Sequence, residues 1–472
     1  MGYESFQKQL EEAADFFSSF DKNKQIRLVS HHDADGICSA AIIVELLNKK
    51  GMSYCITIVP QLDDEMLDTL KSEEHSQYIF TDLGSVFIKK IIKKLKDHKV
   101  LVLDHHQPSR SYSEDSSANA NICHVNPHLH DIEGSREISG SGVTYMFAEL
   151  IEDMSSLSHL PIVGAIGDSQ ANKGFNGLNE TLLQKSQGSG QVKINHGLKL
   201  FGANTKPLAK LLRTSYDPFI PGVTGNFRGA NEFLNSLNIN VKDSGKNRLL
   251  TDLGENELNK LGEAILQRCP DVNKNRLFGK IYTITGETGA FRDAREFATV
   301  LNGCGRLDKS TVGIAACLGD ESMKKKALEM QEEYKRELQS IVSWFKSNKN
   351  SEDIIITPNY LIVNCKKNVP SSMAGTFASI ISYSEEAEKG AFILTLSRQE
   401  NGTTKVSLRL KGRSDKVDLN LIISKIVRVA GGQSGGHKNA AGALIKSCDE
   451  KKFIEQAQRI FQEVSLVEDI GK

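Results

Sequence analysis

The stretch LVSHHDADGIC, residues 28–38, places His31, His32, Asp33 and Asp35 directly after an apolar run. Burying one unpaired carboxylate is costly, and burying two close together costs more unless a cation lies between them. The same residue types recur downstream. Asp82 closes QYIFTD, Asp104, His105 and His106 follow KVLVL, and Asp168 ends the small-residue run HLPIVGAIGD. Carboxylate and imidazole without thiolate suit Mn2+ or Mg2+ more than structural zinc. The candidates exceed what one ion needs. Two ions about 3.5–4 Å apart, bridged by a carboxylate, would use them all and would serve phosphoester hydrolysis. In extended chain Asp33 and Asp35 face opposite ways. In a turn entering a helix at Gly36 both point inward, one to each ion, with the glycine permitting the turn. His124, His128 and His130 fall in a loop-like segment, and with no cysteine spacing beside them they do not read as zinc ligands.

These groups meet only if the elements before them bring them together. Apolar β-type runs at 26–30, 54–59, 77–82 and 99–104 alternate with helical patterns at 36–50, 63–72 and 86–97. That alternation predicts parallel βαβ units, with a ligand site at the carboxyl ends of the strands. Asp168 reads as a fourth such end. Serine caps predict a helix opening near Ser139–Ser141. Residues 172–250 carry weak periodicity; SQGSG reads as an exposed loop and DPFIPGVTGNFRG as turns. Helices are expected at 252–268 and 321–348, the second a long surface or connecting helix. The α/β alternation returns from about residue 353. The expected division is residues 1–174, a middle or inserted region 175–350, and a smaller α/β domain 351–472, with a cleft between the two α/β domains.

A second candidate site is GGQSGGHKNAAGA, residues 431–443. Its glycines let the backbone approach a ligand, and exposed N–H groups make an anion nest. Gly435, Gly436, His437 and Lys438 form the candidate phosphate clamp, with Arg409 and Arg413 of SLRLKGRS to complete it. The plainer reading is a flexible loop leading into a strand at Ala441.

Composition sets the bounds. The 472 residues are 39% hydrophobic and 25% charged, ordinary for a globular chain with a sizeable core. Lysine plus arginine equal aspartate plus glutamate at 59 each, so a polyanion would need a local patch. Eight cysteines without a C-x-x-C pair fit reduced thiols in a cytoplasm. No signal peptide and no span of about 20 apolar residues is read.

HHDADG (31–36), TDLG (81–84), LDHHQP (103–108) and GAIGD (164–168) resemble, in order and spacing, the motifs of the DHH phosphoesterase superfamily. GGHKNAAG (435–442) is similar to the glycine-rich motif of the associated DHHA1 domain. NPHLHDIEGSREISGSGVTY, DPFIPG and FRDAREFATVLNGCGRLD resemble segments of archaeal RecJ-like proteins, including those called GINS-associated nuclease. The resemblance implies an N-terminal parallel-sheet DHH domain and a DHHA1 domain that binds nucleic acid. It implies that His31, Asp33 and Asp82 hold one Mn2+, and that Asp35, Asp82, His105 and Asp168 hold the other, with Asp82 bridging. His106 then contacts the scissile phosphate or supports the ligands, Asp104 orients a histidine, and His32 is structural. No ligand position is missing, unlike in the superfamily's inactive relatives, which include a subunit of the eukaryotic replicative helicase.

The function expected is a Mn2+- or Mg2+-dependent exonuclease on single-stranded DNA or RNA, in replication or repair. One alternative is a phosphodiesterase of oligoribonucleotides or cyclic dinucleotides. Another is a mainly architectural replisome factor bound to GINS.

Overall fold

The computed structural model describes residues 2–108, 120–172, 174–215, 218–270, 272–384, 386–412 and 417–470. The amphipathic helix α1 (Gly2–Ser18) precedes β1 (Ile26–His31), α2 (Ala34–Lys50), β2 (Tyr54–Val59) and α3 (Asp64–Ser72). Then come β3 (Gln77–Thr81), α4 (Ile88–Leu95), β4 (Lys99–Leu103) and β5 (Ile122–Val125). The five strands form one wholly parallel sheet in the order β2-β1-β3-β4-β5. β1 lies inside the sheet, between β2 and β3, and residues 26–30 are buried on both faces, as a sheet covered on both sides requires. On one face Val29, Phe80 and Val102 pack with Leu67, Leu70, Ile88 and Ile91 of α3 and α4. On the other, Leu28, Ile79 and Leu101 pack against the apolar α2.

α5 (Gly140–Glu149) and α6 (Leu160–Gly167) join α2 in that core. Asp168 therefore follows a helix, not a strand. LPIVGAIG is apolar all round, and a short buried helix of that kind cannot be told from a buried strand by periodicity. Pro161 in the first turn favours the helix. α7 (Gly177–Gly188) takes in most of the SQGSG segment read as a loop.

The middle of the chain is bracketed by β6 (Val192–Leu198) and β9 (Phe278–Ile284), which pair antiparallel. Between them lie α8 (Leu208–Arg213), α9 (Phe227–Ser236), β7 (Lys242–Asp243), β8 (Lys246–Asn247), α10 (Glu255–Arg268) and α11 (Lys274–Leu277). They share their own core, which includes Leu208, Leu212, Ile220, Phe233, Leu261 and Ile265. α12 (Ala294–Arg306) and α13 (Ser310–Cys317) then return to pack on α2 and α6.

The chain divides into two compact units, residues 1–331 and 332–472, at a point within α14 (Glu321–Ser347). The second unit continues with β10 (Ile354–Ile356), β11 (Tyr360–Asn364), α15 (Ala374–Ser382), β12 (Phe392–Arg398), β13 (Thr403–Leu410) and α16 (Leu419–Ala430). It ends with β14 (Gln433–His437), β15 (Ala440–Lys446) and α17 (Glu450–Ile470). Its mixed sheet has the order β10-β11-β12-β13-β15-β14, and Phe392 stacks on Phe461 at 4.6 Å in its core. Among the described residues no helix is long and apolar enough to cross a membrane.

Candidate metal centre

Three strand ends and two helix ends converge at the carboxyl edge of the parallel sheet. His31 is the last residue of β1, and Asp33 caps α2, its carboxylate accepting from the Gly36 N–H at 3.1 Å. Helical geometry already holds from Ala34, so Asp35 sits in the first turn. Gly36 thus serves close packing and not a sharp turn: a Cβ there would lie 2.3 Å from the His31 carbonyl oxygen. The short spacing sends the two carboxylates to different neighbours. Asp33 Oδ2 lies 3.1 Å from His31 Nδ1. Asp35, fully buried, accepts from the N–H groups of Gly140 (2.6 Å) and Ser141 (3.1 Å) and from the Ser141 hydroxyl. Those donors open α5, so a helix N-terminus faces this carboxylate. A Cβ on Gly140 would lie 2.5 Å from Asp82 Oδ1, and one on Gly164 would lie 2.2 Å from Asp35 Oδ1.

Asp82 follows β3 with φ of 57°, a left-handed conformation that aspartate tolerates. Its N–H donates to the Leu103 carbonyl at 2.9 Å, which fixes the residue between β3 and β4. The side chain is 1% exposed, and neither carboxylate oxygen has a hydrogen-bond partner. Oδ2 faces His31 Nδ1 at 3.4 Å, and Oδ1 faces His105 Nε2 at 3.3 Å and His106 Nδ1 at 3.9 Å.

After β4, Asp104 is fully buried and accepts from the N–H groups of Ser85 and His105, both at 2.8 Å, and from His106 Nδ1 at 2.8 Å. Its carboxylate therefore holds the His106 ring by Nδ1. His105 Nδ1 lies 2.7 Å from the Gly134 carbonyl, which can only accept. In the neutral ring the proton therefore sits on Nδ1, which leaves Nε2, facing Asp82 Oδ1 (3.3 Å), Asp168 Oδ2 (3.3 Å) and Asp35 Oδ2 (3.8 Å), as the atom open to a cation. Gln170 also donates to Gly134 O, at 3.1 Å, and steadies that support.

Three groups able to hold a cation result, each with ligand atoms within 4.8 Å of one another: His31, Asp33 and Asp82; Asp35, His105 and Asp168; and Asp82, His105 and His106. Carboxylates and lone pairs packed without protons between them are not stable alone. Burial and the neighbouring Asp82 push Asp35 up to about 6, and burial and Asp35 push Asp168 well up. Burial disfavours charge on His31 and His105, yet Asp33 and Asp82, and Asp82 and Asp168, raise them well above the usual imidazole range. A divalent cation in each group would replace those protons, and the orphaned oxygens of Asp82 supply the donors between them.

Sequence reasoning missed the contribution of α12. Asn302 Oδ1 accepts from the Ala34 N–H at 3.0 Å, and Arg306 Nη1 donates to His32 Nε2 at 3.0 Å. His32 is buried, its Nε2 facing Arg306 and its ring against that of His31 at 4.7 Å. The signal was present in FRDAREFATVLNGCGRLD, where Asn302, Gly305 and Arg306 share one end of a helix. Gly305 lets that end close on the loop, since a Cβ would lie 1.6 Å from His32 O. His124 lies 2.9 Å from Ser85 Oγ and His130 is 2.9 Å from Ser5 Oγ; neither belongs to a cation group among the described residues.

The second candidate site differs from its expectation. Residues 433–437 are strand β14, paired antiparallel with β15 in the register Gly435↔Gly442, and not an open loop or nest. The glycines suit a strand that a neighbouring backbone approaches closely. Gly435, Gly436 and Lys438 are exposed at this sheet edge. Arg409 Nε donates to Ser379 Oγ at 3.1 Å and its Nη1 to the Leu408 carbonyl at 2.8 Å, so its guanidinium is tied into the sheet. Arg413 and the His437 side chain lie outside the described residues.

Comparison with known proteins matches three segments of the chain. Residues 25–164 match the DHH family N-terminal domain, residues 200–277 the DHH-CID domain, and residues 357–463 the DHHA1 domain. An uncharacterized protein of Methanocaldococcus jannaschii is 31% identical over 444 residues, covering 93% of both chains. RecJ of Thermus thermophilus, solved in complex with Mn2+, is similar in fold with a TM-score of 0.59 and 16% identity. That match covers 97% of this chain, which spans only 55% of that RecJ chain. CDC45 of Entamoeba histolytica matches with a TM-score of 0.62 and 13% identity, covering 97% of this chain and 99% of its own. With these matches in order along the chain, the chain belongs to the DHH family, and its fold is similar to those of RecJ and CDC45.

Proposed function

We propose that this chain is a divalent-metal-dependent phosphodiesterase that shortens single-stranded DNA or RNA from an end. The observation that carries the reading is Asp82: both oxygens are buried and unpartnered, each facing a different histidine. A scaffold has no use for such a group, whereas a bridged pair of cations needs one. When bound, two Mn2+ or Mg2+ ions would activate a water and neutralise charge on the scissile phosphate. His31, Asp33 and Asp82 would hold one ion, and Asp35, Asp82, His105 and Asp168 the other. The protein's own work is positional. The start of α5 fixes Asp35, the Gly134 carbonyl fixes the His105 tautomer, and Asp104 holds His106 beside Asp82. Gly435, Gly436, His437, Lys438, Arg409 and Arg413 are proposed to grip phosphates; Gly435, Gly436 and Lys438 are exposed, while the Arg409 guanidinium is bonded to Ser379.

The test is Mn2+-dependent hydrolysis of single strands, DNA and RNA, labelled at each end in turn, beside Asp82→Ala. Stepwise shortening from one end, lost in the variant while its circular dichroism is unchanged, is expected. Near wild-type activity in Asp82→Ala would defeat the two-ion assignment. Inertness toward both polymers with turnover of dinucleotides would select the small-substrate reading. A chain inert toward all of them that still captures GINS would select the architectural one, for which the fold similarity to CDC45 is the specific support.

A further inference from the structure

Asn126, which opens NPHLH directly after β5, is fully buried, and both polar atoms of its side chain are bonded. Nδ2 donates to Ser85 Oγ at 2.7 Å and to the His106 carbonyl at 2.9 Å, and Oδ1 accepts from the His128 N–H at 2.9 Å. A carbonyl only accepts and a backbone N–H only donates, so these neighbours fix which way the amide faces. Gln9 of α1 accepts from the Asn126 N–H at 3.2 Å and holds the residue from the other side.

These bonds close a ring. His106 Nδ1 is held by Asp104 Oδ1, and Asp104 Oδ2 accepts from the Ser85 N–H. Ser85 Oγ accepts from Asn126, and Asn126 returns to the His106 carbonyl. His124 Nε2 lies against the same Ser85 Oγ at 2.9 Å. The strands do not need this ring to stay together. Backbone bonds already continue past their ends, from the Asp82 N–H to the Leu103 carbonyl at 2.9 Å and from the Asp104 N–H to the Val125 carbonyl at 3.2 Å. Apolar side chains in the same places would cost less to bury. Ser85, Asp104 and Asn126 are fully buried, whereas the His106 side chain is 32% exposed. The ring thus ties three inaccessible groups, from the segments after β3, β4 and β5, to one accessible imidazole. A buried network whose members are all satisfied is rigid. With Nδ1 held by Asp104, Nε2 is the nitrogen that remains for a substrate oxygen.

We propose that Asn126, acting through Ser85 and the His106 carbonyl, is a positioning residue that holds the His106 imidazole for the reacting phosphate. The inference rests on the reading that this centre cleaves phosphodiesters, and adds to it two residues outside the cation groups.

The test measures single turnover by the full chain in excess, with Mn2+, on whichever single strand or dinucleotide the wild type cleaves. Asn126→Asp keeps the shape of the amide and the acceptor for His128 but loses both donors. Ser85→Ala is the milder variant, since its N–H still reaches Asp104. Asn126→Asp should lower the maximal rate about 10–100-fold and Ser85→Ala should lower it less, with the half-saturating concentration unchanged. The Kd for Mn2+, from isothermal titration calorimetry, should also be unchanged. In a His106→Ala background neither substitution should lower the rate further, because residues that act through one group are not additive. The full loss repeated in that background, or a Kd for Mn2+ that rises as the rate falls, would overturn the proposal and make the ring a matter of folding alone. Wild-type rates in both variants would overturn it too, with the phosphodiester reading left standing. A wild type inert toward strands and dinucleotides alike would overturn both.

Discussion

Asp82 is the residue on which the chemistry turns, and its neighbours show how a few side chains are kept ready. Asp104 accepts from Ser85, His105 and His106, so its charge is spent on orientation. Asp104→Asn should lower kcat about 10–100-fold with little change in KM or in the folded circular dichroism, as loss of an orienting partner does. An equal rise in KM alone would instead make Asp104 a binding residue. Acid should act at the same place. Burial and Asp82 push Asp35 up to about 6, so below that pH a proton competes with the cation. The apparent Kd for Mn2+, measured by isothermal titration calorimetry, should rise by ~tenfold per pH unit for each proton displaced. A Kd flat from pH 7 to 5 would show that Asp35 is not a ligand.

At the scale of elements, glycine decides how closely helices approach the site. Gly140 opens α5 against Asp82 and Gly164 lies in α6 against Asp35, each where a Cβ would overlap the carboxylate. Gly164→Ala should weaken Mn2+ binding about tenfold or more while the sheet remains folded; unchanged affinity would mean that α6 can shift without cost. His159, at the start of α6, is buried against Phe297 and burial pushes it down to about 4. It is neutral when folded and binds a proton near 6.5 when unfolded. Its contribution is therefore complete above pH 6.5 and is lost as pH falls toward 4, on the order of 3 kcal/mol in all. The loss of stability between pH 7 and 5 in urea titrations should be smaller in His159→Gln than in the wild type. Parallel limbs would show that His159 keeps its ordinary pKa.

For the whole molecule, the division at residues 331 and 332 separates the candidate metal centre from the DHHA1 domain. Binding that favours only the folded state stabilises by about 2.7 kcal/mol at a hundredfold excess over Kd. Calorimetry should therefore show Mn2+ raising the transition of the first unit and leaving that of residues 332–472 unchanged. An equal rise in both would mean that the two units unfold as one.

Much of this was legible in order along the chain. Apolar runs of period two gave way to helical spacing, and His31, Asp33, Asp82 and Asp104 to His106 each followed a run whose end could be read. Local chemistry set those positions, because a strand ends where polar residues begin and Asp33 caps the helix that follows. Asp168 was recognisable as a candidate yet misassigned to a strand, since a buried helix shows no amphipathic face. β14 was hidden because glycines carry no strand signal, and only pairing with β15 makes those residues extended. The opening of α5 was legible from its serine caps, but that it, Asn302 and Arg306 reach the site was beyond a local reading. They lie far along the chain from the loops they touch, and only packing on α2 brings them there. The sequence by itself determined which residues could bind a cation; the tertiary structure decided that Asp82 lies between two such groups, because convergence depends on strand order and helix packing, which no single segment encodes.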